Sequence, residues 1–399
     1  MIHLFNVFVI VASGLCLIEN IYVITVGRFI FGCASGAFTV FVPKFINETA
    51  PTELKGPFGT LSQFMCTLGI VVAAYFALAI PNPDSFPLDR SQATFYITGY
   101  WRVMWGFPIF MAVFQSALML LVFRYDTPLA LKQRQDWDNL AAVMSKIYKR
   151  EQVQARIEEI QVEAPKKDAA QARRVTMGET FTDPNLRRAA WTGCALSAFQ
   201  QLSGINAIIF YSSKLFEDTS LGANQATALI MTVNCLAVVG AVPQVNFLGR
   251  KTLMFVWYLL CSIFLFIMGF SVIKSASTIE LIMCLGFVAS FEFGPGPITW
   301  MYMSEIMNDQ GVSMATVINW GLVLIVGSTT TIMANNLGGY MFILFGVFST
   351  CATLFTFFFM KETKGLSEAE VARLYRADRD MLDQYEKAQK MKGDEDDDY

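Results

Sequence analysis

The chain has 399 residues, of which 54% are hydrophobic and 16% are charged, and its mean hydropathy is +0.44. This composition excludes an ordinary soluble protein, because too much apolar surface would face water. The formal net charge is −3, and no nucleic-acid partner is expected.

Ten apolar stretches follow one another along the chain, each long enough for a transmembrane helix of about 20 residues. They begin near Ile2, Ile21, Phe58, Val103, Ala189, Ala226, Thr252, Glu280, Ser313 and Leu337. Only helices and closed barrels satisfy every backbone polar group in lipid, and the stretches therefore predict an all-α membrane protein.

The predicted spans form two groups that are separated by a polar segment. Four spans occupy residues 1–123 and six occupy residues 189–361, while residues 124–188 are charged and helix-prone. We predict two membrane bundles, a cytoplasmic helical linker and a tail over residues 362–399 with a disordered acidic end. Apolar linker residues recur at helical spacing at Leu140, Val143, Met144 and Ile147. This pattern favours a helix against the inner ends of the bundles, and a solvated spacer is the alternative.

Basic residues are concentrated in the loops on one side of the predicted bundles. On that side lie Lys44, Lys55, Arg124, Lys132, Lys149, Arg150, Arg187, Arg188, Arg250, Lys251 and Lys364. The opposite side has little beyond Arg90, Lys214 and Lys274. By the positive-inside rule, both termini and the linker are predicted to be cytoplasmic.

The residue types that carry metal or covalent chemistry are sparse. The eight cysteines lie inside apolar stretches without a CxxC spacing, so we interpret them as packing residues and expect no disulfide. The only histidine, His3, has no second candidate ligand near it in the sequence. The sequence also has no phosphate-cradling loop. We therefore expect no metal, no cofactor and no enzymatic activity.

The fifth span is rich in small and polar residues. On an ideal helix one stripe comprises Gln200, Ser203, Gly204, Ala207 and Tyr211. Gln201 and Asn206 point to either side of the stripe, and local unwinding at Gly204 would bring all three amides together. Amides at membrane depth either bind a polar solute or join helices through hydrogen bonds, and the residues alone leave both interpretations open.

The eighth span contains a run that interrupts regular helix. A hinge is predicted at Gly294, Pro295, Gly296 and Pro297. Trp300 follows the run and is either an aromatic plate for a ligand or a packing residue. Glu292 precedes the run, and an acid at membrane depth must be paired, protonated or hydrated.

A further set of residues is assigned to gating. Its members are Arg28, Glu48, Lys55, Tyr211, Arg250 and Glu305. Most of the charged members lie on the predicted cytoplasmic side, where pairs between the bundles would form in one state and break in the other. The alternative is a set of exposed ion pairs, which contribute only about 0 to 1 kcal/mol each.

Four runs of the chain resemble motifs of the sugar porter family of the major facilitator superfamily. They are Gly27–Phe64, FQQLSGINAIIFYS at Phe199–Ser212, FEFGPGPITW at Phe291–Trp300 and KETKG at Lys361–Gly365. The resemblance extends along nearly the whole chain and implies the two-bundle fold of that superfamily. The ten spans correspond to the family's helices three to twelve, arranged as four and six, so the family's first two helices are missing. We expect either a misplaced start methionine or a natural fragment.

The resemblance implies transport of a monosaccharide, a hexose such as glucose, by alternating access. The residues that it assigns to sugar binding are Gln63, Gln200, Gln201, Asn206, Asn234, Glu292, Trp300 and Asn319. The implied partners are the sugar and the lipid bilayer, with or without a co-transported proton, and the implied location is the plasma membrane. A sugar-binding membrane sensor, a fragment that does not transport, and a carrier of a polyol or another small polar solute are the alternatives.

Overall fold

The computed structural model describes residues 1–51, 55–79, 95–149, 151–155, 157, 175–215, 223–366 and 368–377. Within these ranges the regular structure is helical and contains no strand, which confirms the predicted all-α class. The chain divides into two compact units, unit 1 (Met1–Arg173) and unit 2 (Arg174–Tyr399).

Unit 1 includes, among the described residues, four apolar helices followed by two short helices within the predicted linker. They are α1 (Ile2–Cys16), α2 (Ile21–Thr49), α3 (Lys55–Leu78), α4 (Phe95–Leu121), α5 (Pro128–Gln133) and α6 (Trp137–Ile147). Asn20 starts α2, because its side-chain oxygen accepts hydrogen bonds from the backbone N–H groups of Tyr22 and Val23. A Cβ added to Gly27 would lie 2.9 Å from the Ala12 carbonyl oxygen. The α1 and α2 backbones can approach this closely only because residue 27 is glycine.

Helices α5 and α6, together with Ile157, build a small apolar core within the predicted linker. Its buried members are Leu131, Leu140, Val143, Met144 and Ile157. Ile147 packs against this core, which confirms the helical face predicted from the spacing of these residues. Asp136 caps the start of α6, and the Thr127 hydroxyl donates a 2.5 Å hydrogen bond to the Glu48 carboxylate. This bond joins the start of α5 to the end of α2.

Unit 2 contains the longer series of helices. They are α7 (Met177–Thr182), α8 (Arg187–Leu202), α9 (Ile205–Leu215), α10 (Ala223–Phe247), α11 (Arg250–Ile273), α12 (Ser277–Phe293), α13 (Pro295–Ile306), α14 (Asp309–Leu337), α15 (Tyr340–Phe359) and α16 (Glu368–Leu374). Two predicted spans are each built from two consecutive helices, α8 with α9 and α12 with α13. The core of unit 2 is apolar and includes the fully buried Leu196, Met254, Tyr258, Ile298 and Tyr302.

Eight segments among the described residues are long and apolar enough to cross a membrane. They are Ile21–Pro43, Gly99–Leu121, Arg187–Phe210, Asn224–Val245, Arg250–Ile273, Ser277–Ile306, Asp309–Leu337 and Tyr340–Phe359. Large apolar side chains such as Phe29, Leu324 and Phe358 are exposed on these helices, as lipid-facing residues are. Two further apolar helices, Ile2–Cys16 and Gln63–Leu78, are shorter. The number of ten spans stays a prediction.

Candidate functional site

The first helix break of unit 2 lies where the sequence predicted local unwinding. Helix α8 ends at Leu202, α9 begins at Ile205, and Gly204 between them has a φ of +88°. Residues other than glycine rarely adopt this φ. A Cβ on Gly204 would also lie 2.5 Å from the Phe345 ring, so both the backbone and the packing require glycine here. The predicted interruption of the helix is confirmed.

The break brings the predicted amides together. The Asn206 side-chain N–H donates a 2.5 Å hydrogen bond to the Gln201 side-chain oxygen. Gln201 donates through Nε2 to the Asn319 side-chain oxygen at 2.9 Å, and Asn319 donates through Nδ2 to Gln200 Oε1 at 2.7 Å. These four residues, here called the amide cluster, form a continuous row of hydrogen bonds. Three of them come from the fifth predicted span, and the fourth comes from α14.

The second helix break joins the amide cluster through Gln200. Helix α12 ends at Phe293, Gly294 has φ −134° and ψ −86°, and α13 begins at Pro295. A Cβ on Gly294 would lie 2.5 Å from Trp257 Cβ. Gln200 Nε2 donates to the backbone oxygens of Pro295 at 2.9 Å and Gly296 at 3.0 Å. The predicted break is confirmed, whereas hinge motion at this place stays a prediction.

A second polar pair lies buried between α10 and α12. Asn234 donates through Nδ2 to the Glu292 carboxylate at 2.8 Å, and both residues are buried. The side-chain oxygen of Asn234 is buried without a hydrogen-bond partner among the described residues. A Cβ on Gly296 would lie 2.6 Å from the second carboxylate oxygen of Glu292, so the pair lies beside the second break. An unsatisfied buried acceptor is costly and is available to a polar solute or to water.

The structure gives less information on two other residues assigned to sugar binding, Trp300 and Gln63, and on the gating residue Tyr211. Trp300 is half-buried and packs against the apolar core of unit 2. Gln63 belongs to α3 of unit 1 and is half-buried. The side chain of Tyr211 lies outside the described residues. Their assignments to sugar binding or gating stay predictions.

The gating residues Arg250 and Glu305 lie in a second polar group of unit 2, here called the charge cluster. Arg250 Nη2 lies 3.1 Å from Glu305 Oε1, and the Thr363 hydroxyl donates to Glu305 Oε2 at 2.6 Å. Glu362 accepts the backbone N–H groups of Arg250 at 2.8 Å and Lys251 at 3.1 Å. The carboxylate of Glu362 therefore caps α11, whose N-cap residue is a glycine. The ion pair joins two helices of one unit.

The gating residues Arg28 and Glu48 contact other residues of unit 1. The Arg28 guanidinium lies 5.9 Å from the centre of the Phe31 ring and 5.7 Å from that of Trp105, which places it in cation–π contact. Glu48 accepts the hydrogen bond from Thr127 described above. The Lys55 side chain lies outside the described residues. Gating by these residues stays a prediction.

Two polar features of unit 2 were missed by the sequence analysis. Glu362 lies inside the KETKG run, yet its role as a helix cap depends on α11, which is more than 100 residues away. The Tyr302 and Tyr375 hydroxyls lie 2.7 Å apart, and both accept the backbone N–H of Lys361. This pair of tyrosines with the Lys361 backbone, here called the tyrosine clasp, holds α16 against α13. No local pattern indicates it.

The apolar spans, the two broken helices and the buried amides define a multi-pass integral membrane protein of the transporter class. The sequence model of the family described as "Sugar (and other) transporter" matches residues 1–375. The solute carrier family 2 facilitated glucose transporter member 3 of Oryctolagus cuniculus is 31% identical over 376 residues, covering 91% of this chain and 72% of the relative. The hexose transporter 1 of Plasmodium knowlesi is 28% identical, covering 91% and 74%. The chain therefore belongs to the sugar transporter family.

Solved structures identify the fold. The xylose transporter XylE from E. coli, in a partially occluded inward-open conformation, gives a TM-score of 0.72 at 23% identity, covering 92% of this chain and 81% of XylE. The E. coli fucose:proton symporter FucP gives 0.59 at 12% identity, covering 91% and 83%. The fold is that of the major facilitator superfamily. The family match makes the chain a transporter rather than an enzyme.

Proposed function

We propose that this chain moves a monosaccharide, a hexose such as glucose, across a membrane by alternating access. The observation that carries the proposal is the amide cluster at the break between α8 and α9, with its row of hydrogen bonds from Asn206 to Gln200. Relatives named as glucose and hexose transporters support a hexose as the substrate class.

The chemistry of the proposed site matches that of a sugar. Sugar hydroxyls both donate and accept hydrogen bonds, as amides do, and the C–H face of the ring packs on an aromatic plate. Gln201 and Asn206 each donate only one of their two side-chain N–H hydrogens to a described residue. Glu292 with the free oxygen of Asn234 adds acceptors, and Trp300 is the candidate plate. Gln63 is assigned to the site by resemblance alone.

The proposed cycle uses the helix breaks and the gating residues. Hinge motion at Gly294–Pro297 would let α13 move with respect to α12 without breaking helical hydrogen bonds elsewhere. The Arg250–Glu305 pair would bias one of the two states. We expect weak binding, about 1 mM or about −4 kcal/mol, because a carrier must release its solute.

The proposed setting is the plasma membrane, with both termini and the linker in the cytoplasm. The domain assignment is a four-helix bundle over residues 1–123, a linker over 124–188, a six-helix bundle over 189–361 and a tail. The relatives named as facilitated glucose transporters support diffusion down a gradient, and the neighbours named as proton symporters support proton coupling. A proton gradient imposed across the membrane distinguishes the two modes.

Uptake of labelled D-glucose by proteoliposomes containing the full chain tests the proposal, with L-glucose as the control solute. We expect saturable uptake that other hexoses inhibit. Binding of D-glucose without uptake would favour the sensor or the fragment that does not transport. Inhibition by polyols but not by hexoses would favour a polyol carrier.

The variant Gln201→Ala tests the site itself. It removes one donor and one acceptor, and we expect the half-saturation concentration to rise about twofold to tenfold for each lost hydrogen bond. Gln225→Ala is the matched control, because Gln225 is an exposed glutamine of α10. An unchanged half-saturation concentration in Gln201→Ala would contradict the assignment.

A further inference from the structure

The backbone alone does not fix the direction of α13 relative to α12. Pro295 and Pro297 have no N–H group, so two of the helical hydrogen bonds that would cross the second break cannot form. The N–H of Gly294 donates to the Phe291 oxygen at 3.3 Å. The helical bonds of α13 resume with Ile298, whose N–H donates to the Gly294 oxygen at 3.1 Å. Side chains around the break therefore contribute to the orientation of the two helices.

One of these side chains belongs to Phe293, the last residue of α12. Its ring is stacked on the indole of Trp257 in α11, with the ring centres 4.8 Å apart and an angle of 23° between the planes. On α10, a Cβ added to Gly240 would lie 2.7 Å from the Phe293 ring, so glycine leaves the room that the ring occupies. Gly240 and Trp257, together with Gln244, form what is here called the Phe293 slot.

Gln244 fixes the indole of the Phe293 slot. Trp257 donates through Nε1 to Gln244 Oε1 at 3.1 Å. The Gln244 amide is itself oriented, because its Nε2 donates to the Gly240 backbone oxygen at 3.4 Å, one turn earlier on α10. Trp257 also lies against the break directly, since a Cβ on Gly294 would be 2.5 Å from Trp257 Cβ. The end of α12 is thereby held to both α10 and α11 at Trp257.

We propose that Trp257 is a positioning residue for transport: held by Gln244, its indole anchors Phe293 and so fixes the pivot about which α13 turns. This inference rests on the proposed function for the sugar and for the movement of α13. A hinge transmits movement only when one of its sides is fixed, and the Phe293 slot fixes the α12 side. Trp257 belongs neither to the amide cluster nor to the Asn234–Glu292 pair. It therefore acts on the rate of the conformational change and not on the contacts with the sugar.

Two substitutions remove the hydrogen bond of the Phe293 slot without emptying it. Trp257→Phe removes the indole N–H and keeps an aromatic ring for the stack, and Gln244→Met removes the acceptor at nearly the same side-chain length. Trp257→Leu removes the stack as well. The matched controls are Trp320→Phe, at an exposed tryptophan of α14, and Gln225→Met, at an exposed glutamine of α10. Each variant is made in the full chain.

Hydrogen exchange of the purified chain tests the anchor without any sugar. Loss of the hydrogen bond should raise the exchange rate of the backbone amides in residues 291–299 about twofold to tenfold in Trp257→Phe and in Gln244→Met. The double variant should match the single variants, because both remove the same bond. Trp257→Leu should exceed them, since it also loses the aromatic pair. The two control variants should match the wild type. Unchanged exchange in Trp257→Phe and Trp257→Leu would overturn the inference.

Uptake of labelled D-glucose by proteoliposomes separates positioning from contact with the sugar. If only molecules with Phe293 in its slot turn α13 productively, the maximal rate per folded chain should fall about twofold to tenfold in Trp257→Phe and in Gln244→Met. The half-saturation concentration should change less than twofold. A merely structural role would lower the amount of folded protein and leave the rate per folded chain unchanged.

The outcomes distinguish this inference from the proposed function. A rate per folded chain equal to that of the wild type in Trp257→Phe and Trp257→Leu would overturn the inference and leave the proposed function intact. A faster rate would also overturn it, because the slot would then lock the hinge instead of anchoring its pivot. Absence of D-glucose uptake by the wild type would overturn the proposed function and the role in transport with it, and hydrogen exchange would still decide whether Trp257 anchors Phe293.

Discussion

The amide cluster and the charge cluster are both polar groups of unit 2, but they are built from different chemistry. The amide cluster is neutral and mostly buried, with Gln200 and Asn319 at 2% and 1% exposure and only Asn206 half-buried. The charge cluster lies at helix ends, and the side chains of its ion pair, Arg250 and Glu305, are 19% and 23% exposed. Burial of neutral amides requires only hydrogen-bond partners, whereas burial of charges also carries a large desolvation cost.

Because of this difference, the amide cluster and the charge cluster suit two different functions. Amides donate and accept alike, so a sugar hydroxyl can replace one of their partners without leaving an unpaired charge. The carboxylates of Glu305 and Glu362 instead hold particular donors, among them the first backbone N–H groups of α11. The first arrangement suits exchange with a solute. The second suits the fixing of helix ends, and its disruption should affect stability more than solute affinity.

The largest effect is expected from Gly204→Ala, which acts on the amide cluster. A side chain at φ +88° strains the backbone, and its Cβ would lie 2.5 Å from the Phe345 ring. Backbone strain and overpacking together should destabilise unit 2 by about 3 kcal/mol. The measurement is the thermal unfolding midpoint of the purified chain, together with uptake of labelled glucose.

Gly338→Ala is the matched control for this substitution. Gly338 also has a positive φ, +51°, but a Cβ there would have no atom within 4 Å. We expect only the backbone strain, about 1–2 kcal/mol, and little change in glucose affinity. Equal losses of stability in both variants would contradict the packing argument at Phe345.

An intermediate effect is expected from Glu362→Ala, which acts on the charge cluster. The variant removes the acceptor of the backbone N–H groups of Arg250 and Lys251 at the start of α11. Loss of a helix cap costs about 1–2 kcal/mol, and the unfolding midpoint should fall accordingly. The half-saturation concentration for glucose should change less than in Gln201→Ala.

Glu19→Ala provides the comparison for the loss of a carboxylate. Glu19 pairs with Arg102 in unit 1 and is largely exposed, so its removal should cost at most about 1 kcal/mol. If Glu362→Ala raised the half-saturation concentration as much as Gln201→Ala, the separation of the two clusters by task would be wrong.

The parts of the site that could be predicted from the sequence are those with a local cause. Gly204 and the Gly294–Pro297 run mark helix breaks because of backbone properties that belong to the residues themselves. The convergence of Gln200, Gln201 and Asn206 follows from their spacing once the helix is broken at Gly204. The membrane-spanning helices, and with them the all-α class, could likewise be predicted from composition and from the hydropathy of each segment.

The parts that could not be predicted depend on long-range packing. Gln200 donates to carbonyls that lie 95 and 96 residues further along the chain, and nothing in its own segment indicates these partners. The complete set of hydrogen-bond partners of Gln200 is visible only when α13 and α14 are in place. The same holds for Glu362, whose capping role requires a close approach to Gly249.

The smallest effect is expected at the tyrosine clasp. The Tyr375 hydroxyl shares hydrogen bonds with Tyr302 and with the Lys361 N–H, and Val371 and Leu374 are buried beside it. Tyr375→Phe should therefore weaken the docking of α16 by about 0.5–1.5 kcal/mol. Limited proteolysis of the C-terminal segment at neutral pH measures the change.

Proteolysis measured over a series of pH values separates the contribution of the Tyr375 hydroxyl from that of the other contacts of α16. Burial raises the pKa of Tyr375 above its usual value of about 10, despite the opposing hydrogen bonds from Tyr302 and Lys361. The Tyr375 hydroxyl therefore ionises at a lower pH in the undocked segment than in the docked one. Its contribution to docking is fully present below about pH 10 and is lost as the pH rises through the raised pKa. As the pH rises, protection from proteolysis should fall in the wild type and fall less steeply in Tyr375→Phe. Tyr22 is an exposed tyrosine, so the control variant Tyr22→Phe should follow the wild type. Identical curves for Tyr375→Phe and the wild type would mean that other groups hold α16 in place.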